Sequence, residues 1–441
     1  MSAQPPDGPS TSAPLPAFAG FGIELEYAIV SDDDLGCLPV ADLLLREGAG
    51  AVGGDCAGVQ VNDVARGALG WSNEFVMHVV EIKNLAPEAG LSYLSGLFQN
   101  EVRAINRQLR EWQARLMPTA MHPWMDPATE TRLWPHDPDG IYAAYGRIFD
   151  IRTHGWANLQ SMHINLPFAD DAEFARLHAA VRLVLPIIPA LAASSPLADG
   201  VPTGFMDTRM EVYRTNAADF PSIAGSIVPD NASGRAEYEE TVLRPMYRAI
   251  APYDPDGVLQ EEWLNSRGAI ARFDRNAIEI RVTDTQECPQ ADLAIAAAVI
   301  DTVHLLFSGS TAGLADQQAM TTARLAAILR ACTRDADLAE IDDAGYLALF
   351  GYPAPRARAR DLWRHLVRRM GANGLLHAHS WRNQLDTMLE HGPLARRILK
   401  ALDGRTGPDA GGREHVAAVY RQLCNCLEEG SMFVPELTRR R

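Results

Sequence analysis

The stretch GFGIELEYAIV, residues 20–30, alternates with a period of two, placing Phe21, Ile23, Leu25 and Tyr27 on one side and Glu24 with Glu26 on the other. That period is the period of a β-strand, so the two carboxylates project from one face with Cβ atoms roughly 7 Å apart. Like charges held so close on an apolar strand repel unless water screens them or cations sit between them. A lone E-x-E on a strand reads as a solvated face, so repetition elsewhere decides its meaning. SNEFVMHVVEIKN reads as the next strand, opened by Glu74 and closed by Glu81. In NLQSMHINLPF, His163 and Asn165 share a face opposite Met162, Ile164 and Leu166. In AIEIRVTDT, Glu279 and Arg281 oppose Ile278, Ile280 and Val282. Four apolar strands that each carry acids, His, Asn or Arg on one side fit a cleft better than a plain surface.

The rest of the chain predicts an α+β fold: a mostly antiparallel sheet with one carboxylate-lined face, helices packed outside, and a helical C-terminal region. CLPVADLLLREGAG reads as a short helix. EAGLSYLSGLFQNEVRAINRQLREWQARL spaces its apolar residues three and four apart, as a long amphipathic helix does. MPTAMHPW reads as a strand, DGIYAAYGRIFDI as a helix, and 172–193 as a helix interrupted near Pro186 and Pro189. The hairpin AIARFDRNAIEIRVTDT turns near Asp274 to Asn276. Residues 200–235 are irregular and form a candidate lid. The strands are too few and too widely separated for βαβ units. The expected organisation is a disordered leader over 1–18, a catalytic core over 19–310, and helices over 311–441 belonging to the same domain.

Composition narrows the partners. With 56 acidic against 40 basic residues the net charge is −16, which argues against nucleic acid or an anionic membrane. Only Lys83 and Lys400 are lysines, so anions would be held chiefly by arginine, whose planar fork engages two oxygens at once. Six cysteines without C-x-x-C suit reduced cytosolic thiols and offer no zinc knuckle. The N-terminus lacks a secretory pattern, and no charge-poor apolar run reaches about 18 residues. A cytoplasmic protein without a membrane span is expected, and a homo-oligomer is compatible with the sequence. The P-loop, H-E-x-x-H and G-x-S-x-G motifs are missing. His122 reads as a packing residue, His377 to His379 as a helix start, and Cys424 with Cys426 as helix residues.

Oxygen-rich ligands with one imidazole suit Mg²⁺ or Mn²⁺ better than zinc, and clusters of Mg²⁺ typically hold phosphates. GIELEYAIV, NEFVMHVVEI, MHINLPF, AASSPLADGVPTGF and AIEIRVTDT, in that order, resemble the glutamate–cysteine ligase and carboxylate–amine ligase family. Its catalytic fold is shared with glutamine synthetase and the guanidino kinases. The resemblance implies Glu24, Glu26, Glu74, Glu81 and Glu279 as ligands of two or three Mg²⁺ ions. It implies His163 and Arg281 at the ATP phosphates. Asn165 and Arg272 are placed on the nucleotide side with them, and Arg209 loosely on the substrate side. Glu26 and Arg281 are the expected catalytic pair. The implied reaction joins a small carboxylate, with glutamate favoured by family habit, to an amine through an acyl phosphate, using Mg-ATP. The alternatives are a carboxylate or guanidino kinase and a non-catalytic binding relative.

Overall fold

Eight antiparallel strands form one sheet around the GIELEY segment. In this computed structural model residues 13–51, 61–137, 140–373, 380–407 and 409–435 are described. The strands are β1 (Gly22–Ser31), β2 (Asp63–Arg66), β3 (Leu69–Asn73), β4 (Val79–Asn84), β5 (Ala114–Met117), β6 (Ser161–Pro167), β7 (Ala269–Arg272) and β8 (Ala277–Asp284). Their order is β2-β3-β4-β1-β6-β8-β7, with β5 pairing the second half of β1. Central β1 sets Glu26 opposite Glu81 of β4 and Glu24 opposite His163 of β6.

The helices that matter here are α1 (Ala41–Ala51), α2 (Leu91–Leu109), α3 (Ile141–Ile148), α4 (Asp171–Val184), α5 (Thr208–Tyr213), α6 (Pro289–Phe307), α7 (Leu394–Leu402) and α8 (Ala410–Glu429). The back of β1, Ile23, Leu25, Tyr27 and Ile29, is fully buried. Tyr27 lies beside Asp292 of α6. Helix α2 buries Leu91, Leu94, Phe98, Val102, Ile105 and Leu109, three or four apart, and packs on α6. By length and hydropathy α6 could cross a bilayer, yet 83% of its apolar window is buried inside the protein, as in a core helix.

The front of β1 is divided. Glu24 and Glu26 face a cleft, while Ala28 and Val30, on the same side, are buried with Met117 under Leu394, Ile398 and Tyr420 of α7 and α8. Period two explains both halves, because the side chains of 24, 26, 28 and 30 share one face. Gly22 starts that face. A Cβ there would stand 3.0 Å from the Asn165 Cβ, so glycine leaves room for the asparagine that binds Glu24.

Some local expectations are corrected. Glu74 does not open a strand: β3 ends at Asn73, and Glu74 begins the loop that leads into β4. The hairpin β2–β3 was not anticipated. Its turn uses Gly67 at φ +70°, a conformation glycine adopts without a Cβ clash. The strand expected over MPTAMHPW ends at Met117, opposite Ala28, because β6 pairs β1 from Leu25 back to Gly22 and leaves β5 only residues 28–31. Helix α4 stops at Val184, followed by a 3₁₀ turn and a short helix Pro189–Ala192, the interruption the prolines predict. Of the leader expected over 1–18, residues 1–12 lie outside the described residues. Phe18 packs edge-on against His304 and Phe307, at 4.8 and 5.2 Å. His377 to His379 and Cys56 also lie outside the described residues.

Candidate active site

The front face collects acids from neighbouring strands, and each is held by its own pattern of partners. The Ser161 amide and hydroxyl donate to Glu26 Oε2 at 2.7 and 3.2 Å. Asn165 Nδ2 donates to Glu24 Oε1 at 3.0 Å. Glu81 accepts from the Ser72 hydroxyl at 2.7 Å and pairs with Lys83 at 3.0 Å. Glu279 pairs with Arg281 and, at 3.5 Å, with Arg272. His163 sits in the middle: Nδ1 is 3.1 Å from Glu24 and 3.6 Å from Glu279, and Nε2 is 3.7 Å from Glu26.

These contacts set the charges. Burial works against a charged His163, but the hydrogen bond to Glu24 and the nearby Glu26 and Glu279 push it up to about 9. Burial also opposes ionisation of Glu81, yet Lys83, the Ser72 hydroxyl and His163 bring it down to about 2. Glu279 is held well below the usual carboxylate range: burial is outweighed by Arg281, His163 and Arg272. Glu74 is the exception. Burial pushes it up to about 7, with Glu26 and Glu81 adding repulsion.

A β-bulge shapes the arginine side. Between Ile280 and Thr283 the β8 ladder takes three steps while β6 takes two, from Ile164 to Met162. The extra residue breaks the pairing opposite His163. The Arg281 carbonyl therefore needs another donor, and the Arg209 guanidinium supplies two contacts at 3.2 and 3.3 Å. Arg209 itself is fixed by Asp284 at 2.6 Å. Asp284 in turn accepts from the Ser194 amide and the Ser195 hydroxyl at 2.8 and 2.9 Å, so the SSP turn is tied to β8.

Glu24, Glu26, Glu74, Glu81, His163, Arg209, Arg272, Glu279 and Arg281 thus line one cleft, enclosing about 130 Å³. Asn165 stands behind Glu24. The opposite wall is aromatic: Phe75, Tyr142, Tyr145, Trp156, Tyr213 and Trp263. Over residues 20–337 the chain matches the glutamate–cysteine ligase family 2 (GCS2).

The chain belongs to that family.

An uncharacterized protein of Archaeoglobus fulgidus is 34% identical over 278 residues, 63% of this chain and 72% of the relative. Among solved structures, a glutamate–cysteine ligase from Francisella tularensis in complex with AMP superposes with TM-score 0.55 at 12% identity, covering 92% of this chain and 88% of that one. A bifunctional glutathione synthetase from Pasteurella multocida gives TM-score 0.56 at 13% identity over 92% of this chain. This chain spans about half of that synthetase, 52%. At such identities these two establish the fold: a mixed helical and antiparallel-sheet ligase architecture.

The donor set of this GCS2 family member fits hard divalent cations. Ligand atoms of Glu26, Glu74 and Glu81 lie within 4.8 Å of one another, as do those of Glu24, Glu81 and His163. One all-carboxylate triad and one of two carboxylates with a single imidazole suit Mg²⁺ or Mn²⁺. Lys83, Ser72, Ser161 and the aromatic wall were missed from the sequence. Lys83 carried a signal: it is one of two lysines in the chain and lies two residues beyond Glu81, hence on the same face. Ser161 stands likewise two before His163.

Proposed function

We propose that this protein is an ATP-dependent carboxylate–amine ligase. The observation that carries the reading is the convergence of Glu24, Glu26, Glu74, Glu81 and Glu279 on one cleft face, where ligand atoms of Glu26, Glu74 and Glu81, and of Glu24, Glu81 and His163, lie within 4.8 Å of one another. Glu26, Glu74 and Glu81 would hold one Mg²⁺, and Glu24, Glu81 and Glu279 its neighbours. Bound there, Mg²⁺ would neutralise the phosphates of ATP and align the γ-phosphoryl group. Arg281 and Arg272, kept charged by Glu279, face the same cleft and would bind phosphate oxygens as they shift from the carboxylate. His163 is a proton-bearing cation among three acids and would donate to the same oxygens.

Chemically, a substrate carboxylate oxygen attacks the γ-phosphorus, and the bond to ADP breaks with its electron pair on ADP. The amine nitrogen then attacks the acyl carbon. A C–N bond forms, the C–O bond to phosphate breaks, and the nitrogen's proton leaves with phosphate. Charge neutralisation and alignment are the main demands, which matches a cleft lined chiefly by acids and arginines. Arg209 is committed to Asp284 and the Arg281 carbonyl, which favours a role in positioning Arg281. A γ-glutamyl donor is favoured by family membership. The core over 19–310 would act with the C-terminal helices as one unit, a reading supported by the burial of Ala28 and Val30 under α7 and α8.

The test is an ADP-release screen over carboxylates and amines, with mass spectrometry of the product. ADP release that requires both partners, with one amide formed per ADP, supports the ligase. ADP release with carboxylate alone, and no amide with any amine, would make it a carboxylate kinase instead.

A further inference from the structure

Two registered rows of side chains cross the acidic face of the cleft, its floor. Asp63 of β2, Ser72 of β3, Glu81 of β4 and Glu26 of β1 stand opposite one another in turn, and Gly70, Lys83, Glu24 and His163 form the row beside them. Directly opposed side chains on one face have Cβ atoms about 5 Å apart, so Lys83 projects among the acids. Its Nζ lies 3.0 Å from Glu81 Oε1 and 3.3 Å from Asp63 Oδ1, and its side chain is 10% exposed. Glu24, Glu26 and Glu81 line the cleft and, among the described residues, Lys83 does not. Its ammonium therefore acts on the floor and not on a substrate.

Lysine suits that place. Of the 40 Lys and Arg residues only Lys83 and Lys400 are lysines. An ammonium is a compact point charge, where a guanidinium is a flat fork, so it can sit between two carboxylates as a metal ion would. Glu81 shows the consequence. It is buried, and it is the carboxylate common to both close triads of ligand atoms. Each carboxylate oxygen offers about two lone pairs. On Oε1 the Ser72 hydroxyl, at 2.7 Å, and Lys83 take both. Oε2 is left for a divalent cation.

We propose that Lys83 stands in for a divalent cation: a built-in charge that occupies the Glu81 Oε1 side of the floor and lowers by one the number of Mg²⁺ or Mn²⁺ ions bound there. The inference rests on the ligase reading for what those ions do, but its test counts ions and needs no turnover. Without metal, the same ammonium keeps a buried carboxylate from standing unpaired, which is otherwise costly.

Mn²⁺ bound to the full-length protein, with a non-hydrolysable ATP analogue present, is counted by the loss of the free-ion electron paramagnetic resonance signal. Lys83→Met is expected to bind one more ion per chain than the parent. An equal count in the two proteins overturns the proposal. Because that variant strips a buried carboxylate of its partner, the parent supplies an independent measurement. In parent crystals grown with Mn²⁺ and the analogue, anomalous scattering should place no ion on Glu81 Oε1, and Lys83 Nζ should remain within hydrogen-bond distance of it. An ion bonded to Oε1 with Lys83 displaced overturns the proposal as well. One extra ion in Lys83→Met, beside a parent that releases no ADP with any carboxylate and amine, would instead sink the ligase reading and leave the place of Lys83 standing.

Discussion

The acid floor and the aromatic wall line the same cleft, yet they are built by opposite means. The floor consists of side chains from paired strands, fixed by ladder register: Glu26 across from Glu81, Glu24 across from His163. The wall is assembled from the loop before β4, helix α3, the segment before β6, helix α5 and the stretch before β7, and it is held by ring packing. The floor keeps its carboxylates charged by pairing them with Lys83, His163, Arg272 and Arg281, with Glu74 pushed up by burial and its acidic neighbours, whereas the wall supplies packing to the fold. Substitutions in the two regions should therefore fail differently.

The largest separation is expected from Glu26→Gln. It keeps an acceptor for Ser161 but removes one charge from the floor, so amide formation should fall on the order of 10²–10³-fold with the melting temperature unchanged or raised. Activity within tenfold of the parent would show that the floor does not hold the reacting charges. Tyr145→Ala should invert that pattern in stability. Tyr145 is 3% exposed among rings, and its truncation should cost about 3 kcal/mol in urea unfolding. A cost below about 1 kcal/mol would mean the wall is not packed as a unit.

Acid should loosen the wall before the floor. His78 Nε2 meets the Ala157 carbonyl at 3.0 Å, joining the Phe75 loop to the Trp156 segment. Burial lowers its pKa from 6.5 to about 4. Above pH 6.5 it is neutral in both folded and unfolded chains. As pH falls from 6.5 towards 4 only the unfolded chain gains the proton, so stability is lost across that window. By pH 5 the loss should be about 2 kcal/mol from this residue, read by urea unfolding at pH 7 and pH 5 in parent and His78→Asn. An equal pH slope in both proteins would remove His78 from the account. The smallest effect is expected at Gly22→Ala, where the added methyl meets Asn165 and should cost about 1 kcal/mol. No measurable cost would show that Asn165 can yield without disturbing its bond to Glu24.

What the sequence revealed divides along the same line. Period two exposed Glu24, Glu26, His163, Glu279 and Arg281, because one strand suffices to show which residues share a face. It misplaced Glu74 within a strand, since NEFVM is apolar enough to pass for one while its backbone turns. It could not foresee the bulge that breaks the ladder opposite His163 and assigns Arg209 to the Arg281 carbonyl, because a bulge depends on two strands at once. The wall stayed hidden for the same reason. Phe75, Tyr145, Trp156 and Trp263 read singly as core aromatics, and only tertiary packing gathers them.

Calorimetric titration of ATP into the parent and into Glu26→Gln, each with and without Mg²⁺, tests the central claim most directly. ATP should bind the parent only when Mg²⁺ is present, and Glu26→Gln should lose at least tenfold of that affinity. Equal ATP binding without the divalent ion, or undiminished binding by Glu26→Gln, would contradict the assignment of the acid floor to Mg-ATP.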